Sequence, residues 1–210
     1  MSLTFGECQV LMGMMFKLQP NKEQARELSS WIDMLFHQYN YNLRDRNYTY
    51  HASQEDWTTS QSFPLTHCAL TCCISRNGAS GEVYTLKPNK KSGLLKRRSA
   101  GAIQDANLKE LKKSRPWYKR VNSTALQQNV KRLDNAFDGF FGNGKGRPKP
   151  KRRSKFKSFT ITNIENKDIT STGINIKSLG WVDYHNSRST PDGFKVKSAT
   201  IRQKADGWYI

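Results

Sequence analysis

The sequence predicts an α+β fold on three observations. Apolar residues recur at three- and four-residue steps in two long stretches before residue 142, a segment of Gly, Pro, Lys and Arg follows, and short runs of alternating apolar and polar residues fill the remainder. A chain of 210 residues is long enough for one or two domains with a core. Hydrophobic residues at 36% and a mean hydropathy of -0.78 are polar for a globular protein, but 11% aromatics exceed what disordered chains carry, so a folded protein with loose segments is expected.

The elements follow in order. An apolar stretch over residues 10–18 supplies a first strand within residues 1–20. Pro20 and Asn21 then open a run in which Leu28, Trp31, Ile32, Leu35, Phe36, Tyr39 and Leu43 mark one helical face, from Asn21 to about Arg46. Asn21 caps it, with Gln24 reaching back as in a capping box. From residue 52 to residue 101 the periodicity disappears among Ser, Thr, Asn, Gly and Pro, which reads as an irregular insertion. A short helix is expected over Ile103 to Lys113. A longer one runs from about Ser123 to Phe141, with Leu126, Val130, Leu133, Phe137 and Phe140 inward and Ser123, Gln127, Lys131 and Asp134 on the opposite face. Gly142 and Gly144 end it. A helical region over residues 21–142 is thus followed by a basic loop, 143–157, and by strands over 158–210: Phe159 with Ile161, Ile174 with Ile176, Trp181 to Tyr184, and Phe194 with Val196. Residues 201–210 form a hairpin, with Asp206-Gly207 as its turn because both tolerate positive φ. A last strand of Trp208, Tyr209 and Ile210 lacks partners for its apolar face, from which a fragment of a longer protein is expected.

Charge is the dominant compositional fact. Lys and Arg number 35 against 17 Asp and Glu, a net +18, which favours a polyanionic partner. Residues 87–157 hold 22 bases and 4 acids and so carry the whole excess, the flanking regions being −2 and +2. Within it, Lys145, Arg147, Lys149, Lys151, Arg152, Arg153, Lys155 and Lys157 stand without a single acid. Such a run repels itself unless phosphates neutralise it, while Pro148 and Pro150 exclude a basic helix. Contact to backbone phosphates is expected, which by itself carries no sequence information.

Other groups admit two readings. Gln127, Gln128 and Asn129 can read adenine edges, or form a solvated polar face. Trp117 and Tyr118, beside Arg115, Lys119 and Arg120, can stack on bases or anchor packing. His67, Cys68, Cys72 and Cys73 are ligand types for zinc, but one crowded group lacks the two separated pairs of a ribbon, so these and Cys8 are read as reduced thiols. Asp33, Asp134, Asp183 and Asp206 have structural explanations and do not assemble a two-metal nuclease set. No catalytic residue and no metal site is assigned. With no run of eighteen apolar residues and no signal peptide, a cytoplasmic location is expected.

Four ordered stretches resemble a known family. They are Phe16-Lys17-Leu18-Gln19-Pro20 with Glu23-Gln24; Ala125-Leu126-Gln127-Gln128-Asn129 through Leu133, Ala136, Phe137 and Phe140-Phe141; Ile176 with Leu179-Gly180-Trp181-Val182; and Thr200-Ile201-Arg202 with Asp206-Gly207-Trp208-Tyr209. Their order and spacing resemble the N-terminal half of the TnpB (OrfB) proteins of bacterial insertion sequences, transposon-encoded RNA-guided DNA endonucleases related to the type V CRISPR effectors. The resemblance implies a wedge-type β-barrel interrupted by a helical recognition domain. It implies guide RNA and double-stranded DNA as partners and the reading of a short transposon-adjacent motif at Ser123, Thr124 and Gln127, with Lys131 on the same face. Ser123 departs from the basic residue some relatives have there. The family's RuvC-like nuclease domain and zinc ribbon would follow Ile210, so divalent metal and zinc are expected only beyond this chain. Residues 57–101 exceed what many relatives carry.

Overall fold

Asn21 and Gln24 close the expected capping box: Asn21 Oδ1 accepts the Gln24 N–H at 2.8 Å, and Gln24 Oε1 accepts the Asn21 N–H at 3.0 Å. The structure, a computed structural model, describes residues 12–52, 86–88, 95–97, 99–188 and 196–210. From that cap α1 runs Lys22–Ala52, past Arg46, since no Gly or Pro stands between Arg46 and Ala52 to stop it. Its apolar stripe is the expected one. Leu28, Trp31, Ile32, Leu35, Tyr39 and Leu43 are all buried, each such side chain contributing about 1.5–3 kcal/mol on transfer from water.

Two short helices, α2 (Ala100–Ala106) and α3 (Leu108–Ser114), replace the single helix expected over Ile103 to Lys113. Ser99 caps α2 by accepting the Ala102 N–H at 3.2 Å, which starts the helix before Gly101. Gly101 lets the Asp134 carboxylate approach the helix, because a Cβ would stand 2.1 Å from Asp134 Oδ2 and force that side chain to shift. A single-turn helix over Pro116–Arg120 leads to α4, Ser123–Gly142, capped by Asn122, whose Oδ1 accepts the Thr124 N–H at 2.9 Å. Leu126, Val130 and Leu133 are buried in α4 as expected, with Phe137 and Phe140 half-buried.

Asp134 corrects the sequence reading of an outward strip. It is half-buried and pairs at 2.6 Å with Arg46, whose side chain is only 8% exposed. Arg46 Nε also donates to Gln104 Oε1 at 2.9 Å, and Gln104 Nε2 donates to Asn42 O at 3.0 Å and Asp45 Oδ2 at 3.1 Å. This polar network ties α1, α2 and α4 together.

The strands are β1 (Lys17–Gln19), β4 (Ser158–Ile161), β5 (Gly173–Ile176), β6 (Gly180–His185), β7 (Ala199–Lys204) and β8 (Gly207–Tyr209); β2 (Leu86–Pro88) and β3 (Leu95–Arg97) form a separate antiparallel pair inside the region expected to be irregular. The six-stranded sheet has the order β4-β7-β8-β1-β6-β5 with every pair antiparallel. The N-terminal β1 therefore lies inside a sheet whose other strands all follow residue 157. Phe16 and Ile210 extend its pairing with β8 through reciprocal N–H···O bonds of 2.8 and 2.9 Å. Leu18, Phe159, Ile161, Ile174, Ile176, Val182, Ile201 and Trp208 are buried and join the helices in one core, Trp31 meeting Phe159 at 5.8 Å between ring centroids.

Three strand-level expectations are corrected. The β7–β8 register pairs Lys204 with Gly207, so the two-residue loop is Ala205-Asp206 and not Asp206-Gly207; Gly207, at φ +136°, flanks the turn. Val196 lies outside any strand, and Phe194 outside the described residues. The last strand is partnered on both edges, by β7 and β1, and Trp208 is buried. His67 and all four cysteines lie outside the described residues. Among the described residues no helix is long and apolar enough to cross a membrane.

Candidate nucleic-acid interface

The basic loop begins where α4 ends. Gly144, at φ +64°, reverses the chain, and the Lys145 N–H donates to Gly139 O at 3.0 Å, sharing that carbonyl with the Asn143 N–H at 3.2 Å. Pro148 and Pro150 then bias the residues before them, Arg147 and Lys149, to extended backbone. The segment runs antiparallel along α1. An Arg147 guanidinium N–H donates to Asn47 Oδ1 at 3.1 Å, Lys151 and Asn40 exchange two bonds, and Arg153 pairs with Asp33. Phe156, 1% exposed, pins the far end between Phe36 and Tyr39, at 6.0 and 6.1 Å between centroids, with the Arg132 guanidinium 5.0 Å over its ring. The sequence predicts a basic loop here, and in the structure contacts to the chain's own helix hold it.

Its cations are not equivalent. Lys145, Arg147, Lys149, Lys151, Arg152, Lys155 and Lys157 are exposed, whereas Arg153 is half-buried and already paired with a carboxylate. Arg153 therefore offers less to a phosphate than its neighbours.

The first turns of α4 present the second group of candidates. Gln127 and Lys131, one turn apart, are exposed. Ser123 is exposed too, but its Oγ accepts a hydrogen bond from Lys112 Nζ at 2.7 Å. A cation thus stands at the α4 N-terminus although position 123 is a serine, and desolvation holds its pKa below the ordinary lysine value. Sequence reasoning missed Lys112, which α3 carries into place. Thr124 Oγ1 lies 2.9 Å from Asn122 Oδ1 and 3.0 Å from Asn163 Oδ1, and with one proton it donates to one of them. The Thr162 N–H donates to it at 3.5 Å, so Thr124 is the joint between α4 and the loop after β4.

Between α4 and β4 lies a groove of about 320 Å³, walled by Gln128, Lys131, Arg132 and Asn135 on one side and Ser158 and Thr160 on the other. Arg132 crosses it, donating to Ser158 O at 3.0 Å. Asn129, the third amide of the triplet, is 5% exposed beneath it and donates to Leu35 O at 2.8 Å and Gln38 Oε1 at 2.9 Å. It holds α4 on α1 and cannot reach a base edge. Trp117 and Tyr118 also divide: Tyr118 is buried and donates to Met34 O at 3.1 Å, while Trp117 is 54% exposed beside Arg115 and Lys119. Among the described residues no cluster of three His, Cys, Asp or Glu is placed to hold a metal ion. Taken together, the site offers exposed ammonium and guanidinium groups on an extended segment and one exposed amide on a helix face.

Comparison with known proteins adds to this geometry. The OrfB/IS605 helix-turn-helix domain matches residues 10–55, which in the structure hold β1 and α1. InsQ of Escherichia coli (strain K12), described provisionally as an RNA-guided DNA endonuclease, is 33% identical over 94 residues, 45% of this chain and 23% of InsQ. The match thus spans under a quarter of that relative's length. The similarity is to OrfB/IS605-type proteins, over residues 10–55 for the helix-turn-helix domain and over 94 residues for InsQ.

Proposed function

We propose that this chain is the nucleic-acid-binding portion of a TnpB-like transposon protein, holding guide RNA and target duplex DNA. The observation that carries the proposal is the basic segment, eight Lys and Arg in residues 145–157 laid along α1 with all but Arg153 exposed. A charge excess concentrated in residues 87–157 is the electrostatic footprint of phosphate binding. On this reading the six-stranded sheet is the wedge-type barrel, and Gln127 reads the adjacent motif from the exposed face of α4. No bond-breaking step is assigned to these residues.

Sequencing the RNA that copurifies with the 210-residue chain, beside a nuclease-treated control, tests the reading. Enrichment of one short transcript from the flank of its own gene is expected. Bulk cellular RNA alone, released at moderate salt, would leave polyanion binding without recognition and would overturn the guide assignment.

A further inference from the structure

Every odd-numbered residue from Lys145 to Lys157 is Lys or Arg. Ahead of the 3-10 turn at Arg153–Lys155, extended backbone would put alternate positions about 7 Å apart, comparable to the separation of successive phosphates along an unstacked strand. Such a pattern is useful only if the backbone stays extended, and the two prolines alone do not secure that, since the rest of the segment is rotatable. On α1, Asp33, Asn40 and Asn47 fall at seven-residue steps, two helical turns or about 10.5 Å each, and so share one face. These are the three α1 residues that meet Arg153, Lys151 and Arg147. The lengths agree: about 21 Å of helix from Asp33 to Asn47 faces about 20 Å of extended chain from Arg147 to Arg153. At the centre, Asn40 makes a two-point clamp. Its Oδ1 accepts the Lys151 N–H at 2.9 Å and its Nδ2 donates to Lys151 O at 3.1 Å, which leaves the Lys151 ammonium exposed.

We infer that Asn40 is a positioning residue for polyanion binding, its side-chain clamp on the Lys151 backbone keeping residues 145–152, ahead of the 3-10 turn, pre-extended as a ladder of cations for a phosphodiester chain. The inference rests on the polyanion reading above. Binding then does not carry the ordering cost of a loose segment, and Asn40 itself touches no phosphate.

The test compares the parent and two variants of the full chain binding a labelled single-stranded RNA of mixed sequence over a range of salt. Asn40→Ala removes the clamp and keeps every cation, so about tenfold weaker binding is expected, the ordering cost of about one residue, with an unchanged slope of log K against log salt. Lys151→Ala keeps the clamp and loses a cation, so its slope falls by about 0.7. Hydrogen exchange of the Lys151 amide in the unliganded chain gives the structural readout, slow in the parent and fast in Asn40→Ala. Parental affinity in Asn40→Ala, a slope loss matching that of Lys151→Ala, or fast exchange of that amide in the parent would each overturn the role of Asn40 while leaving the polyanion reading intact. An unaltered chain that binds no RNA would overturn both.

Discussion

Replacing Asn129 separates the amide that holds the fold from the amide that faces outward. Asn129→Ala removes two hydrogen bonds, to Leu35 O and to Gln38 Oε1, each worth about 1 kcal/mol net. The larger effect is on Gln38, which is 4% exposed: its Oε1 loses the Asn129 donor, and a stranded buried acceptor costs about 1–3 kcal/mol. A loss of about 3–4 kcal/mol is therefore expected. Gln38→Ala costs less, about 1–2 kcal/mol, because its other side-chain bond among the described residues, from Nε2 to Leu126 O, is long at 3.4 Å and Asn129 keeps Leu35 O. In the double variant no stranded oxygen remains, so the two losses fall short of additivity by about 1 kcal/mol or more. Urea unfolding followed by circular dichroism, with the slope against denaturant unchanged, measures all three. An Asn129→Ala loss below about 0.5 kcal/mol, the range of an ordinary surface substitution, would refute the assignment, and strict additivity would refute the pairing with Gln38.

The remaining expectations are shorter. Gln127→Ala leaves stability within about 0.5 kcal/mol, being exposed and mid-helix, and relaxes preference among flanking DNA motifs in a binding competition; equal losses on all motifs would count against base reading. Replacing Lys151, Arg152 and Arg153 together by Ala lowers the duplex salt slope by about 1.8 instead of about 2.7, because Arg153 is already neutralised by Asp33; titration by fluorescence anisotropy distinguishes the two values. Gly101→Ala drives a methyl into the Asp134 carboxylate and displaces it from Arg46, and the gain in helix propensity offsets only part of that. A net loss of about 1–2 kcal/mol is expected in thermal unfolding, and a stabilised variant would contradict the packing. Burial raises the Tyr39 and Tyr118 pKa values above the ordinary tyrosine value, against the lowering influence of Arg132 and Arg46 at Tyr39 and of Arg115 at Tyr118. With the folded value above the unfolded one, their contribution is complete below about pH 10 and is lost as pH climbs through the folded values. Stability measured by urea titration should decline from about pH 10 upward, and less steeply in Tyr118→Phe; an equal decline in that variant would exclude Tyr118 as a source.

Periodicity made the helices legible, and capping chemistry made one boundary legible to the residue. The Asn21–Gln24 pair is local, so sequence contains both halves of it, whereas the end of α1 depends only on the absence of a breaker. Partner assignments were illegible for the opposite reason. Asp33, Asn40 and Asn47 are ordinary solvated residues in a helix pattern until residues 100 to 120 positions later are laid across them. Helical angle puts Asp134 on the outward strip, and composition groups Asn129 with the exposed-type amides Gln127 and Gln128, yet each faces α1, because α4 is covered over more of its circumference than its apolar stripe alone requires. The hairpin turn shifted by one residue since Gly tolerates both its interior and its flank, and pattern alone cannot choose the register. Of the site, the basic segment was legible from composition; its attachment to α1, and Lys112 behind Ser123, required the tertiary structure.

The position of β1 has a consequence for how the chain is made. Leu18 pairs with Trp208, about 190 positions later, and the strand has β6 on its other edge. At about 5–20 residues per second of synthesis, β1 waits about 10–40 s after emerging before its last partner exists. Throughout that interval α1 can coil and collect α2 to α4, which all precede β4 in the chain, but the three-residue strand beside it has both edges unsatisfied. The helical layer is thus a scaffold on which the sheet is completed last, by insertion of the first strand between two that arrive from the far end of the chain. Any nucleic acid that depends on both layers meets a finished surface only after that insertion.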